Sequence, residues 1–327
     1  MSQDLNLKFR EPSPIGLQAR KGGGAHRTFR ERWSIFRRTH RESVVAYTIL
    51  APMLLYFMVF SLFPLLFVVY LSFTEWNGMM GWPRFIGLRN YMTFFTTSDY
   101  IITLFRTGIY GFIILLFTMT IGFLTALLLN QKIRGVGLIR TIWYLPVLVP
   151  FSVISQMMNA VLNPVDGIVM TLMKRFMEKP IVFQVSTFWM SFWIIALCIW
   201  KFVGGTVILY LAGLQSVDVS LYEAAKVDGA NRLRLMWNIT IPAIRPITMF
   251  VVITGIIGSF FIFEPVQLIS EGGPHGTTNT ILVRIFEDGF RNFSMGMASA
   301  SSVVVLMVTL ILSVCQYTFA QRSNTTS

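Results

Sequence analysis

Charge is the scarcest commodity in this sequence. Only 13% of its 327 residues are Asp, Glu, Lys or Arg, about half the share in an ordinary soluble domain, so a soluble globular chain is excluded. Cysteine is nearly absent, with Cys198 and Cys315 alone; this rules out a disulfide framework and any CxxC site. Both fall in apolar stretches, where a small buried residue is the expected role. The three histidines, His26, His40 and His275, have no metal-ligand spacing. No Gly-Lys dipeptide occurs, so no GxxxxGK[ST] loop can cradle nucleotide phosphates. Nor is there a nucleophile elbow, an HExxH helix or a pair of aspartates suited to intramembrane hydrolysis.

Long uncharged runs take the place of charge. They are Val44 to Thr74, Thr107 to Gln131, Thr141 to Val165, Pro180 to Trp200, Pro246 to Phe263 and Asn292 to Gln321. Since about 20 apolar residues in a helix cross the roughly 30 Å hydrocarbon layer, and 18 or so make a candidate, each is long enough. The fourth run continues past Lys201 to about Gly213. The expectation is an all-α polytopic membrane protein with six transmembrane helices, organised as a basic tail at 1–43, a six-helix domain at 44–320 and a short tail at 321–327.

The 27 Lys and Arg against 15 Asp and Glu leave a net charge of +12. Most of the basic residues fall in the N-terminal tail and in the even-numbered loops, including the long loop 213–245. By the positive-inside rule both termini and that loop are cytoplasmic, and the charge reads as orientation instead of as nucleic-acid binding. Within the tail, Phe29, Trp33 and Phe36 recur at helical spacing among Arg30, Arg32, Arg37, Arg38 and Arg41. That pattern suits a helix lying on anionic lipid of the inner leaflet, and equally a plain topology signal.

The most informative segment runs from Ser216 to Pro246. Ser220 followed by Glu223 has the spacing of a capping box, which predicts a helix starting at Leu221; Gly229 is placed to stop it. A second short helix is expected from about Asn231 to Ile239. The first helix is too short to stand alone. Leu221, Ala224 and Ala225 share a face whose small residues let another chain approach closely, which suits a docking knob; spacing alone also fits a connector packed on its own membrane domain.

Two charged residues interrupt the apolar runs, at a cost of at least about 2.5 kcal/mol each on insertion scales, and are functional suspects for that reason. Lys201 is read near the middle of span four and Glu264 near the outer end of span five, about 15 Å apart in depth, too far to pair. Glu264 stands among Phe260, Phe261, Phe263 and Gln267, and Pro265 frees backbone groups beside it. Aromatic faces beside polar groups are what a sugar site needs. Gln156 and Asn159 on span three and Trp193 on span four extend the candidate path. Simple alternatives stand beside this reading: Glu264 reaching the outer interface, and Lys201 tying helices together.

The run Glu223, Ala224, Ala225, three residues, Gly229, nine residues, Ile239, Thr240, Ile241, Pro242 resembles the EAA motif of bacterial ABC importer permeases, with Ile241 where leucine is usual. The stretches WPRFIGLRNY at Trp82 to Tyr91, YLPVLVP at Tyr144 to Pro150 and NPVDGIV at Asn163 to Val169 are similar to the carbohydrate-uptake branch of that family, the maltose and glycerol-phosphate importer type. So are the stretches Leu211 to Ala230 and Glu271 to Phe290. The resemblance implies a half-pore that pairs with a second homologous permease and two ATPase subunits, with ATP and Mg on those subunits and no cofactor on this chain. It also implies an extracytoplasmic binding protein delivering a sugar, and a bacterial cytoplasmic membrane. By the same resemblance, Leu221, Glu223, Ala224, Ala225, Asp228 and Gly229 form the helix that seats in the ATPase. An ion-coupled secondary transporter is the rival reading. It would want buried carboxylates and an inverted repeat, and the runs offer only Glu264.

Overall fold

A computed structural model describes residues 47–131, 134–177 and 181–324, with side chains as far as Thr318. The basic tail with its expected interfacial helix lies outside the described residues. The chain divides after Phe63 into two compact units. In the first, the described residues from Tyr47 onward are helical, and the rings of Tyr56 and Phe60 lie 4.8 Å apart. The second, Pro64–Ser327, carries the rest of the fold.

In order along the chain, the helices are α1 (Tyr47–Leu71), α2 (Arg89–Thr96), α3 (Ser98–Leu129), α4 (Val136–Leu148) and α5 (Phe151–Val161). They continue as α6 (Ile168–Phe176), α7 (Thr187–Gln215), α8 (Val219–Val227), α9 (Arg232–Ala243), α10 (Arg245–Ser259), α11 (Ile281–Phe286) and α12 (Met295–Asn324). A two-residue hairpin, β1 (Thr74–Glu75) with β2 (Arg84–Phe85), pairs Thr74 with Phe85 between α1 and α2. Four helices, α1, α3, α7 and α12, have the length and apolarity of straight membrane spans; α4 with α5, and α9 with α10, form two bent pairs that bring the count to as many as six.

One expected span is thus not straight, and another is shorter than its uncharged run. In span three, Pro150 has no N–H, so the carbonyl of Pro146 loses its helical partner, and the residue before a proline is pushed out of the helical region. Val149 is extended at φ −82°, ψ 131°, and the chain turns by 90° between α4 and α5. The 62° bend at Ile244 lies between α9 and α10, just ahead of the expected start of span five at Pro246, and α10 ends at Ser259, not at Phe263. Glu264 therefore lies beyond the helix, at the start of a short helical turn that continues as a π-helical turn at Val266–Ser270. The second span begins earlier than its uncharged run, because Asp99 and Arg106 sit inside α3.

The core is built on α3 packed along α7, with α4 and α10 against them. Small residues permit the approach. A Cβ on Gly122 would come within 2.7 Å of the Thr206 side chain, and one on Gly204 would run into the Trp143 carbonyl. Tyr110, Ile114, Ile194, Cys198, Ile262, Val266 and Val283 fill the centre. Cys198 is buried as expected, whereas Cys315 faces outward from α12.

Candidate functional site

The segment Asp218 to Ala230 is a helix finished at both ends. Its cap is Asp218 and not Ser220: the Asp218 carboxylate accepts from the Ser220 amide at 2.9 Å, and α8 starts at Val219, two residues ahead of the capping-box expectation. A full negative charge at the positive end of the helix explains the choice, since the serine hydroxyl is the weaker acceptor. The same hydrogen bonding holds the Asp218 carboxyl below its ordinary range. Glu223 is left exposed on the helix surface. At the other end Gly229 takes φ +78°. The Ala230 amide donates to the Ala225 carbonyl at 2.9 Å and the Gly229 amide to Lys226 at 3.0 Å, the paired bonds of a Schellman stop.

None of the nine residues of α8 is buried. Leu221, Glu223, Ala224, Asp228 and Gly229 are exposed, and Ala225 is half-buried. A helix this short needs tertiary support to persist in water. Among the described residues its side-chain tether is Tyr222, whose hydroxyl lies 3.0 Å from that of Thr240 on α9. The second helix begins as expected: the Asn231 side chain accepts from the Arg234 amide at 2.9 Å. It runs beyond the expected Ile239, through a π-helical turn, to Ala243. Sequence reading missed both Asp218 and the Tyr222–Thr240 tether; an Asp-x-Ser start was a legible signal for the cap, but nothing local announces a contact across 18 positions.

The transmembrane candidates separate into distinct environments. Lys201 points at the break in span three, donating to the carbonyls of Pro146 at 3.2 Å, Val147 at 3.4 Å and Val149 at 2.6 Å. Its ammonium also lies 5.1 Å from the centre of the Phe151 ring. Among the described residues no direct ion pair joins it to Glu264, as expected, although the two charges lie close enough to attract one another. Gln156 and Asn159 are exposed on α5, one turn apart, with Ile154 and Met158 turned toward the opposite, packed side.

Phe260, by contrast, is 6% exposed and packs with Phe94, Tyr100, Ile281 and Met297, so it is unavailable to a passing solute. Phe261 and Glu264 are exposed. Trp193 Nε1 and Gln267 Oε1 are buried without hydrogen-bond partners, as is Ser155 Oγ on α5. These three sit on α7, on the π-helical turn and on α5, elements that pack in one cluster with Ile154, Leu197 and Ile269. Trp193 also borders a cavity of about 550 Å³ between α5 and α7, lined by Met157, Met158 and Trp200. Of the three, Trp193 alone borders this cavity, whose lining is otherwise apolar, so the orphaned polar atoms belong to the packed cluster behind it. Among the described residues no group of His, Cys, Asp and Glu could hold a metal ion.

Residues 119–324 match the family described as binding-protein-dependent transport system inner membrane component. The chain is 32% identical to the probable ABC transporter permease protein YesP of Bacillus subtilis, over 84% of this chain and 91% of that one. It is 26% identical to the sn-glycerol-3-phosphate transport system permease protein UgpA of Agrobacterium fabrum, over 86% and 96%. Identity to the arabinooligosaccharides transport system permease protein AraP of Halalkalibacterium halodurans is 29%, over 84% and 87%. Its fold is similar to a chain in the crystal structure of a bacterial ABC transporter that imports the acidic polysaccharide alginate, with TM-score 0.76, 24% identity and coverage of 88% and 99%. The chain belongs to the binding-protein-dependent transport system inner membrane components, as a permease subunit of an ABC transporter and not an enzyme.

Proposed function

We propose that this permease forms half of the pathway by which a sugar or oligosaccharide crosses the bacterial cytoplasmic membrane. A second homologous permease supplies the other half, an extracytoplasmic binding protein delivers the solute, and two ATPase subunits carry the ATP and Mg. The carbohydrate assignment is supported by relatives named for arabinooligosaccharides and for starch degradation products. In this reading both termini and α8 face the cytoplasm, and Leu221, Ala224 and Ala225 enter a cleft of the ATPase.

The observation that carries the coupling role is the exposure of α8: a helix capped at both ends, with no residue buried in its own chain, is held ready for a partner. Gln156, Asn159, Trp193 and Gln267 are the residues we assign to the solute's path. Phe261 and Glu264 stand at its extracytoplasmic end, and Lys201 serves as structural support for the break in span three. An ion-coupled transporter is not favoured, because the relatives are ABC permeases.

The test is sugar-stimulated ATP hydrolysis in the assembled complex. Leu221→Asp should abolish the stimulation and release the ATPase on purification while the permease still inserts. Full stimulation and co-purification in that variant would refute the coupling role. Titration of the binding protein across a sugar panel tests the substrate class, and absence of binding to every sugar would remove it.

A further inference from the structure

Residues 72–97 join the end of α1 to the start of α3, and so lie at one membrane face by connectivity. With each bent pair counted as one crossing, this is the face opposite α8. The start of α12 confirms the level, since the Met295 amide donates to the Trp76 carbonyl at 2.9 Å. The short helix α2 in this segment has three faces. Phe94 is fully buried and Tyr91 is partly buried; Arg89 and Thr93 line a cavity; Leu88 just before the helix, with Met92 and Phe95 at helical spacing, is exposed at 57%, 64% and 61%.

That apolar stripe does not stand alone. Phe85 of the hairpin segment is also exposed, as is Trp82 on the rim of the neighbouring cavity, and along α3 the residues Ile102, Phe105, Ile109 and Phe112 face outward. An exposed apolar stripe at the membrane's edge suits the acyl–headgroup boundary, where tryptophan is also at home.

On the other flank of α2 is a cavity of about 640 Å³, lined by Glu75, Trp76, Asn77, Arg84, Arg89 and Asn90 among others. Among the described residues neither Arg84 nor Arg89 has a hydrogen-bond or ion-pair partner for its guanidinium. Two unpaired guanidiniums present planar forks that match phosphate oxygens, and the single Glu75 leaves the cavity with an excess positive charge. We propose that the hairpin and α2 form an interfacial anchor in the leaflet opposite α8, and that the Arg84–Arg89 cavity holds the phosphate of an anionic phospholipid whose chains lie along Leu88, Met92 and Phe95. The exposed apolar stripe at the membrane's edge selects a lipid as the occupant, and charge complementarity selects an anionic one.

The full chain, purified with any subunits that accompany it, is reconstituted into vesicles of phosphatidylcholine and phosphatidylglycerol. Single spin labels at Met92→Cys, Phe95→Cys and Thr93→Cys, in a Cys315→Ser background, are read by collision with oxygen and with an aqueous nickel chelate. The anchor requires oxygen to dominate at 92 and 95 and nickel to gain at 93. Nickel dominance at all three, or shielding from both reagents at 92 and 95, would overturn it in favour of water or a protein partner. In detergent with equimolar lipids, the unmodified chain should retain phosphatidylglycerol preferentially, and R84A/R89A should lose on the order of tenfold of that preference, while R84K/R89K retains most of it. No preference in the unmodified chain would overturn the headgroup site. So would displacement of the lipid by soluble glycerol phosphate at equal concentration, which would assign the cavity to a free phosphate.

Discussion

The Lys201 ammonium donates at 3.2 Å to the carbonyl of Pro146, the acceptor that Pro150 leaves without a helical partner. A lysine inside a span and a broken helix thereby become one feature: the charge is placed where the negative end of α4 and three unpaired carbonyls receive it. Lys201→Met should leave those carbonyls unsatisfied and cost on the order of 1 to 3 kcal/mol. The expected result is a lower melting temperature of the purified complex with the sugar concentration for half-maximal ATPase stimulation unchanged. A large shift in that concentration with normal melting would return Lys201 to the solute path.

Asp218 gives α8 a pH dependence whose sign follows from its depressed carboxyl. A carboxyl with a lower pKa folded than unfolded stabilises the helix above its unfolded value, about 3.9, and the contribution disappears as pH falls through the folded value. Hydrogen-exchange protection of the Ser220 amide should be constant from neutral pH to about pH 5 once intrinsic exchange is corrected for, then fall on further acidification. Asp218→Ala should remove that protection at every pH, and unchanged protection in that variant would show that another group caps the helix.

How much of this was legible in sequence depends on how local the cause is. The Gly229 stop, the Asn231 start and the continuation of α7 past Lys201 come from neighbouring residues and were readable. The break at Val149 had its cause in plain view, with Pro146 and Pro150 both present, yet the apolar run hides it because hydropathy ignores a missing N–H. The bend at Ile244 falls where the expected second loop helix gives way to span five, whereas nothing in the hydropathy marks the end of α10 at Ser259, because the run stays uncharged to Phe263. Phe260 adjoins Phe261 in the sequence, but their opposite burial is decided by Phe94 and Met297, distant residues that no local pattern names. Lys201 met its acceptors more than 50 positions away for the same reason.

The hydroxyl contact between Tyr222 and Thr240 fixes α8 to α9, and one net hydrogen bond of this kind contributes about 1 kcal/mol. Tyr222→Phe and Thr240→Val should each lower sugar-stimulated ATP hydrolysis by loosening the angle of α8, with insertion unaffected. Because both remove the same contact, the double variant should be no worse than the more damaging single one. Additive losses would mean that the two side chains act separately.

Gly229 offers the cleanest separation of backbone geometry from packing, because a Cβ there would meet nothing within 4 Å. Any effect of Gly229→Ala must therefore come from the left-handed conformation at φ +78°, which costs a residue with a Cβ about 1 to 2 kcal/mol. Gly229→Asn, which tolerates that region better, should cost less, and Gly229→Val more. The penalty falls on the Schellman stop and so on the direction in which the chain leaves α8, while Leu221 and Ala224 keep their exposed positions. If α8 transmits the ATPase stroke, coupling should decline in the order Gly, Asn, Ala, Val with little change in ATPase binding, since the docking side chains are retained. Equal activity across the series would show that the orientation set at Gly229 does not govern coupling.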